Sequence, residues 1–241
     1  MNHQQFVDAC NIVLPGNQFT KLSSHLIYEQ LGEQSKQLGA KWVASSYTDF
    51  SIYDGDQYTL ECLWTYLVTS KGAILKAIDI VNKLYPNFAP KALDYYNGIG
   101  LTTIDAIRAG WTVDGFNDVG WQVTNANKLY QHFNVACNTH DELPQDKYNV
   151  LICLEVLEHL QDPVKATEQL ISVLDEQALI IETTSFSSPW HAGHFPAYTI
   201  DGNTVAGRIA SRKTHDVMKQ HGFTRVFAGF NGRPRIWARN I

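Results

Sequence analysis

Residues 148–163 read YNVLICLEVLEHLQDP, and this stretch determines the fold class more than any other part of the chain. Residues 150–154 form an unbroken apolar run, which is typical of a strand whose two faces are both buried. Strands of this kind occur in parallel sheets that carry helices on both sides. The stretch therefore predicts a central strand of a parallel sheet, followed by a helix at residues 163–174.

The chain beyond residue 90 alternates between short apolar runs and helical patterns. Strands are predicted at residues 92–95, 112–116, 135–137, 150–154 and 178–183, and helices at 101–109, 122–132 and 163–174. After a further helix at 215–221, strands at 224–230 and 235–239 flank the turn sequence NGRP, which indicates an antiparallel hairpin. We therefore expect an α/β fold with a doubly wound, mostly parallel seven-stranded sheet and an antiparallel terminal hairpin.

The first 86 residues have a different character. Helices are predicted at residues 4–13, 21–38 and 57–84, and two prolines at 86 and 90 then interrupt the helical pattern. We interpret residues 1–86 as a helical extension or cap and residues 87–241 as the second domain. Aromatic residues between 42 and 58 either line a pocket or form core between the two parts. We expect the extension to cover the carboxyl edge of the sheet and to help form the pocket in which a substrate binds.

Composition excludes several classes of protein. The 241 residues are 44% hydrophobic and 18% charged, so the chain can bury a core. No apolar run reaches the roughly 18–20 residues of a membrane span, and no basic region followed by an apolar stretch indicates a secretory signal. The four cysteines form no CxxC pair, which excludes a zinc knuckle, and we expect reduced thiols in a cytoplasmic protein.

Charge is distributed unevenly along the chain. The net charge of −5 argues against a general nucleic-acid binder. From Arg208 to the end, however, eight Lys and Arg residues face one acid, a balance of +7, and the remainder carries −12. This basic region either attracts a phosphate, a carboxylate or a nucleic acid, or it is a solvated surface.

The first predicted strand runs into DYYNGIGLTT at residues 94–103. Gly98 and Gly100 let the backbone turn tightly and approach a ligand, while the following helix supplies free N–H groups. Asp94 lies at the carboxyl end of its strand, where ligands bind in open sheets. The next strand ends at Asn117 and Asp118, about 20 residues later, where polar groups can hold ribose hydroxyls. The pattern fits a nicotinamide cofactor or S-adenosylmethionine, and packing glycines remain the alternative.

Several segments together resemble class I S-adenosylmethionine-dependent methyltransferases. Residues 148–163 resemble the motif of the family's fourth strand, and ALDYYNGIG at 92–100 resembles its first motif. DELP at 141–144 is similar to the segment after strand three, and the helix at 215–223 ends in Gly-Phe as the late helix of the family does. The resemblance spans residues 91–241 and disfavours the nicotinamide oxidoreductase.

The resemblance implies a cofactor, a reaction and a set of binding residues. It implies S-adenosylmethionine as cofactor and methyl transfer to a small or modest-sized acceptor. The methionine end is expected at the 94–100 loop, the ribose at the end of the second strand, and the adenine beside the segment at 141–144. The expected cofactor residues are Asp94, Tyr96, Asn97, Gly98, Gly100, Asn117, Asp118, Asp141 and Leu154.

Two departures from the family pattern bear on cofactor binding. Tyr96 stands where the family has the first glycine of its G-x-G-x-G motif, and Asn117 stands where it has the ribose-binding acid. Tyr96 adds bulk beside the ligand, and Asn117 lacks the charge-assisted hydrogen bonds of a carboxylate. They leave open a non-catalytic scaffold of the same fold.

The motif on strand four also supplies the candidates for catalysis. His159 is the first candidate for a base that deprotonates the acceptor, with Glu155 or His194 next. A helix starting near residue 155 is expected to put Glu155, Glu158 and His159 on one face. With His191 or His194, these residues resemble the metal site of small-RNA 3′-end 2′-O-methyltransferases, and such ligands suit a divalent ion. That metal-assisted activity is one alternative, and structural or substrate-lining roles for the same residues are the other.

Overall fold

The computed structural model describes residues 1–16, 19 and 23–241, and its centre is a seven-stranded sheet. The strands of the described residues are β1 (Lys91–Tyr95), β2 (Thr112–Phe116), β3 (Thr139–His140), β4 (Tyr148–Leu154), β5 (Leu174–Thr183), β6 (Ala197–Ile200), β7 (Asn203–Ala206), β8 (Thr224–Ala228) and β9 (Arg235–Arg239). The sheet has the order β3-β2-β1-β4-β5-β9-β8, and β6 pairs with β7 in a separate hairpin. Only β9 runs antiparallel to its neighbours, which confirms the predicted architecture.

Helices cover both faces of this sheet. They are α1 (His3–Val13), α2 (Ser24–Ala44), α3 (Gly55–Thr65), α4 (Lys71–Leu84), α5 (Leu101–Arg108), α6 (Gly120–His132), α7 (Pro163–Ser172) and α8 (Gly207–Gln220). Successive residues of β4 enter different cores: Val150 packs with the apolar face of α4, whereas Leu151 packs with α7 and α8. This explains the unbroken apolar run, because every position from Val150 to Leu154 is buried.

Some element boundaries differ from the sequence prediction. The strand predicted at 135–137 is wrong: Val135 and Cys137 pack against a core cluster, and the edge strand is the two-residue β3. The helix predicted at 215–221 begins earlier, at Gly207, because Ala210, Thr214 and Val217 bury one face of a mainly polar segment. The hairpin of β6 and β7 was not predicted. The predicted helix at 57–84 is α3, a π-helical turn at Tyr66–Ser70 and then α4. Residues 21 and 22, the start of the helix predicted at 21–38, lie outside the described residues.

The N-terminal helices contact the loops at the carboxyl ends of the strands. The indole of Trp42, in α2, donates a hydrogen bond of 2.7 Å to the backbone carbonyl of His194. A Cβ at Gly39 would collide with the carbonyl of Trp190, so α2 lies directly on this loop. Because α4 packs on the sheet itself, a division of the chain at residue 86 stays a prediction. Among the described residues, no helix combines the length and hydrophobicity that crossing a membrane requires.

A buried ion pair connects β5 to the terminal hairpin. Glu182 is fully buried, and Arg235 Nη1 donates to both of its carboxylate oxygens, at 2.9 and 2.8 Å. His215, from α8, lies 3.2 Å from the same carboxylate. Burial alone raises the pKa of Glu182, but His215 and Arg235 hold it below its usual value. The antiparallel edge is therefore attached through one ionised carboxylate.

Arg235→Met should lower the free energy of unfolding by about 3–5 kcal/mol, because it leaves a buried carboxylate without its main cation. The control is Lys219→Met, which breaks an exposed pair with Asp216 and should cost less than about 1 kcal/mol. Urea denaturation of the three proteins measures both effects. Equal losses in the two variants would contradict the structural role given to the buried pair.

Candidate active site

The loop between β1 and α5 needs backbone conformations that favour glycine. Tyr96, Gly98 and Gly100 have φ angles of 51°, 56° and 80°, in the left-handed region. A Cβ at Gly100 would collide with the hydroxyl of Tyr130, so only glycine fits there. A Cβ at Gly98 would lie 3.6 Å from Cys62 Sγ, an ordinary contact. At position 98 glycine is favoured by the left-handed φ angle, and not by a steric clash of a Cβ with a neighbour.

Hydrogen bonds fix this loop to its surroundings. Asp94 is buried and accepts hydrogen bonds from the hydroxyls of Thr102 and Thr103, at 2.8 and 2.7 Å, at the start of α5. Burial raises the pKa of Asp94 to about 6. The Asn97 amide donates to the hydroxyls of Tyr130 and of Thr139, in β3, both at 2.8 Å. The polar side chains of the loop thus hold its shape and leave its backbone towards the ligand space.

Tyr96 connects the loop after β1 with the loop after β2. Its ring packs against Tyr95 and Phe116, with ring centroids 4.7 and 5.3 Å apart, and its hydroxyl donates to Asp118 Oδ2 at 2.6 Å. The Asn117 amide donates to Gln122 at 2.6 Å and accepts from a backbone N–H of the same turn, so it is committed within the protein. Asp118 is exposed, which makes it the better candidate for ribose hydroxyls.

A cavity of about 460 Å³ lies at the carboxyl ends of the strands. The cofactor residues predicted from the sequence that line it are Asp94, Tyr96, Asn97, Gly98, Asn117, Asp118 and Leu154. Gly100 lies behind the loop against Tyr130, and Asp141 is exposed and lies outside the lining. The glycine loop, the exposed carboxylate of Asp118 and this volume suit a ligand the size of a nucleoside.

Three histidines gather in another part of the same cavity. The ring centroids of His159 and His194 are 4.7 Å apart, and those of His191 and His194 are 5.4 Å apart. Nδ1 of His159 lies 3.0 Å from the hydroxyl of Tyr53. Burial lowers the pKa of His159 to about 4 and that of His194 to about 2. Both imidazoles are therefore neutral at pH 7, the state in which a ring nitrogen accepts a proton.

The helix predicted from residue 155 is wrong, and the metal site predicted from it loses its basis. Glu155 has a φ of 55°, and the only helical structure between it and α7 is the 3-10 turn Leu157–His159. Glu155 lies in the cavity, 3.6 Å from Arg233. Glu158 instead points into the protein, where Oε1 accepts a 2.7 Å hydrogen bond from the backbone N–H of Ser185. Burial raises the pKa of the Glu158 carboxyl, and the nearby charge of Glu155 raises it further.

Two features bear on the metal and nucleic-acid alternatives: the grouping of possible metal ligands and the charge of the C-terminal region. Within residues 1–16, 19 and 23–241, no three His, Cys, Asp or Glu side chains are grouped in a way that could hold a metal ion. Half of the eight basic residues in the C-terminal region form ion pairs with acids. Lys213 pairs with Asp201, Lys219 with a neighbouring acid, and Arg235 with Glu182. The structure thus favours the interpretation of that region as a solvated surface.

The sequence analysis did not identify which N-terminal side chains line the cavity. Tyr53, Tyr58, Glu61 and Cys62 face the sheet from the segment around α3, and Arg233 joins from the loop before β9. The aromatic stretch at 42–58 was one available signal, because it indicated either a pocket or a core. No sequence signal indicated that Glu61 lines the cavity, since an acid in a helix ordinarily faces solvent.

A family model and several curated proteins match part of this chain. A family model described as a methyltransferase domain matches residues 73–227. The ubiquinone biosynthesis O-methyltransferases of Salmonella enteritidis PT4 and Citrobacter koseri are each 28% identical over 143 residues, which cover 55% of this chain and 56% of theirs. The chain thus spans about half the length of the curated relatives it matches.

Solved structures agree on the fold. Magnesium protoporphyrin IX methyltransferase of Synechocystis PCC 6803 superposes over 100% of this chain and 99% of its own, with a TM-score of 0.54 and 12% identity. Mitomycin 7-O-methyltransferase gives a TM-score of 0.59 and 16% identity over 89% of this chain and 67% of its own. The sheet order, the glycine loop and the match over residues 73–227 lead to one conclusion. The chain belongs to the methyltransferase-domain family.

Proposed function

We propose that the protein transfers a methyl group from S-adenosylmethionine to a hydroxyl group of a small aromatic acceptor. One observation carries the proposal: a single cavity joins the glycine loop after β1 to three clustered histidines, of which His159 and His194 are neutral at pH 7. The names of the similar proteins support it, since the curated relatives are O-methyltransferases and one structural neighbour holds S-adenosylmethionine. A cytoplasmic location is part of the proposal and rests on four free cysteines.

The cofactor would lie along the carboxyl edge of β1, β2 and β4. Gly98 offers bare backbone at the methionine end, and Asp118 keeps an exposed carboxylate for the ribose. Leu154, at the end of β4, lines the cavity between the cofactor loop and the histidines. The adenine contact predicted for Asp141 finds no support, because that residue is exposed and outside the cavity lining.

The acceptor side of the cavity is aromatic. Tyr53 and Tyr58 pack with ring centroids 4.7 Å apart, and Phe50 stacks on Tyr53 at 6.5 Å. All three rings line the cavity together with His159. Aromatic walls favour a flat ring through offset stacking and edge contacts. A phenolic hydroxyl is therefore the acceptor group that this surface fits best.

His159 is the residue proposed to receive the proton. With its own proton on Nδ1, the ring donates to the Tyr53 hydroxyl and keeps Nε2 as an acceptor. When bound, the cofactor would supply a methyl group already activated by its sulfonium, and sulfur would keep the electron pair of the C–S bond when the acceptor oxygen takes the methyl group. The hydroxyl proton goes to His159, and the surrounding protein excludes water and aligns the acceptor.

Gly98→Val should abolish binding of S-adenosylhomocysteine, because a β-branched side chain in a left-handed conformation distorts the loop and occupies ligand space. The matched control is Gly202→Val, which places the same residue at a φ of 74° in the β6–β7 turn, away from the cavity. Isothermal titration and circular dichroism measure affinity and folding. Unchanged affinity in a folded Gly98→Val protein would refute the cofactor site.

The histidine rings should remain neutral well below pH 7. NMR titration should show no protonation of His159 or His194 between pH 8 and pH 5, since burial holds their pKa values at about 4 and about 2. The same rings in the urea-unfolded chain should titrate near about 6.5. A midpoint near that value in the folded protein would show that the rings are solvated.

His159→Ala should lower the rate of methyl transfer by about 10²–10⁴-fold and leave the affinity for S-adenosylhomocysteine nearly unchanged. The assay follows S-adenosylhomocysteine formation with catechol and 3,4-dihydroxybenzoate as acceptors. His221→Ala, at an exposed position, is the control. Full turnover in folded His159→Ala would reject the base. Loss of wild-type activity in a chelator would instead favour the metal-assisted alternative.

A further inference from the structure

Glu61 is a buried acid on the side of α3 that faces the sheet. Its side chain is only 8% exposed, and it lines the cavity. The Thr65 hydroxyl donates weakly to Oε1, at 3.4 Å, whereas Oε2 accepts no hydrogen bond from the part of the chain that the structure describes. No Lys, Arg or His among those residues forms an ion pair with it. The carboxylate thus lacks the partner that a buried charge normally has.

Two residues that follow Glu61, Cys62 and Tyr66, place α3 beside the glycine loop and α5. Cys62 touches the loop, with Sγ 3.6 Å from where a Cβ of Gly98 would stand. Just after α3, the Tyr66 hydroxyl donates a 2.5 Å hydrogen bond to Asp105, inside α5. Helix α3 is therefore attached to α5, the helix that follows the glycine loop, and Glu61 lines the same cavity as Gly98.

The other acids that line the cavity already have partners. Asp94 accepts from two threonine hydroxyls, Asp118 accepts from Tyr96, and Glu155 lies beside Arg233. Burial of Glu61 raises its pKa, because the charged form loses its hydration, and the hydroxyls of Ser35 and Thr65 offset this only in part. A cation bound against Oε2 would restore the lost interaction. Glu61 and Glu155 each line the cavity with a buried oxygen that accepts no hydrogen bond, but among the described residues only Glu155 has a cation, Arg233, beside it.

We propose that Glu61 binds the α-ammonium group of the methionine moiety of the cofactor. The proposal rests on the proposed function, which places that moiety over Gly98. Of the two cationic groups of S-adenosylmethionine, the ammonium donates hydrogen bonds and the sulfonium does not. A buried oxygen that lacks a donor therefore selects the ammonium. The N-terminal helices would then bind cofactor as well as acceptor.

The test compares two ligands on two proteins by isothermal titration calorimetry. The ligands are S-adenosylhomocysteine and its deaminated analogue, which keeps the carboxylate and lacks the amino group. Glu61→Gln should weaken S-adenosylhomocysteine by about 10- to 100-fold and change the affinity of the analogue by less than about twofold. Asp56→Asn, an exposed acid-to-amide change on the same helix, should alter neither affinity.

Equal effects of Glu61→Gln on the two ligands, or no effect on either, would overturn the role of Glu61 while leaving the cofactor site in place. If the wild-type protein binds neither ligand, the proposed function fails and this inference fails with it. Should Glu61→Gln not fold, the wild-type protein alone decides. It should prefer S-adenosylhomocysteine to the analogue by at least about 10-fold, and equal affinities would refute the ammonium contact.

Discussion

The functional site depends on one backbone constraint, the left-handed turn between β1 and α5. Gly100 must approach the Tyr130 ring without a side chain, and Asn97 must reach β3, or the loop cannot take this path. Asp94 then stabilises the first turn of α5 through two threonine hydroxyls. With its polar side chains used internally, the loop presents bare backbone to the cavity. The remaining walls are built around that surface.

The N-terminal helices complete the site by removing it from water. They bring aromatic rings and one acid over the strand ends, and Trp42 and Tyr66 attach them to the sheet domain. Burial then sets the chemistry: it keeps His159 neutral and leaves the Glu61 carboxylate in need of a cation. In both places exclusion of water penalises an unpaired charge: it holds the imidazole neutral at one and favours a bound cation at the other. The extension is in this view part of the site rather than an accessory.

Local patterns predicted what depends on local chemistry. The apolar run of β4 and the glycines after β1 were sufficient for the sheet and its ligand edge, because burial on both faces and positive φ angles leave direct traces in a sequence. The structure around Glu155 was not predictable, since its backbone N–H bonds to Thr183 on the next strand and so prevents the expected helix. Glu61 was equally hidden, because its burial results from the packing of α3 over a distant loop.

The central claim is that one ligand touches both the glycine loop and the N-terminal helices. A crystal structure of the protein with S-adenosylhomocysteine tests this most directly. The account predicts density for the homocysteine end between Gly98 and α3, with the adenosine towards Asp118 and Leu154. Density that contacts the sheet domain alone, with α3 displaced from the ligand, would contradict it.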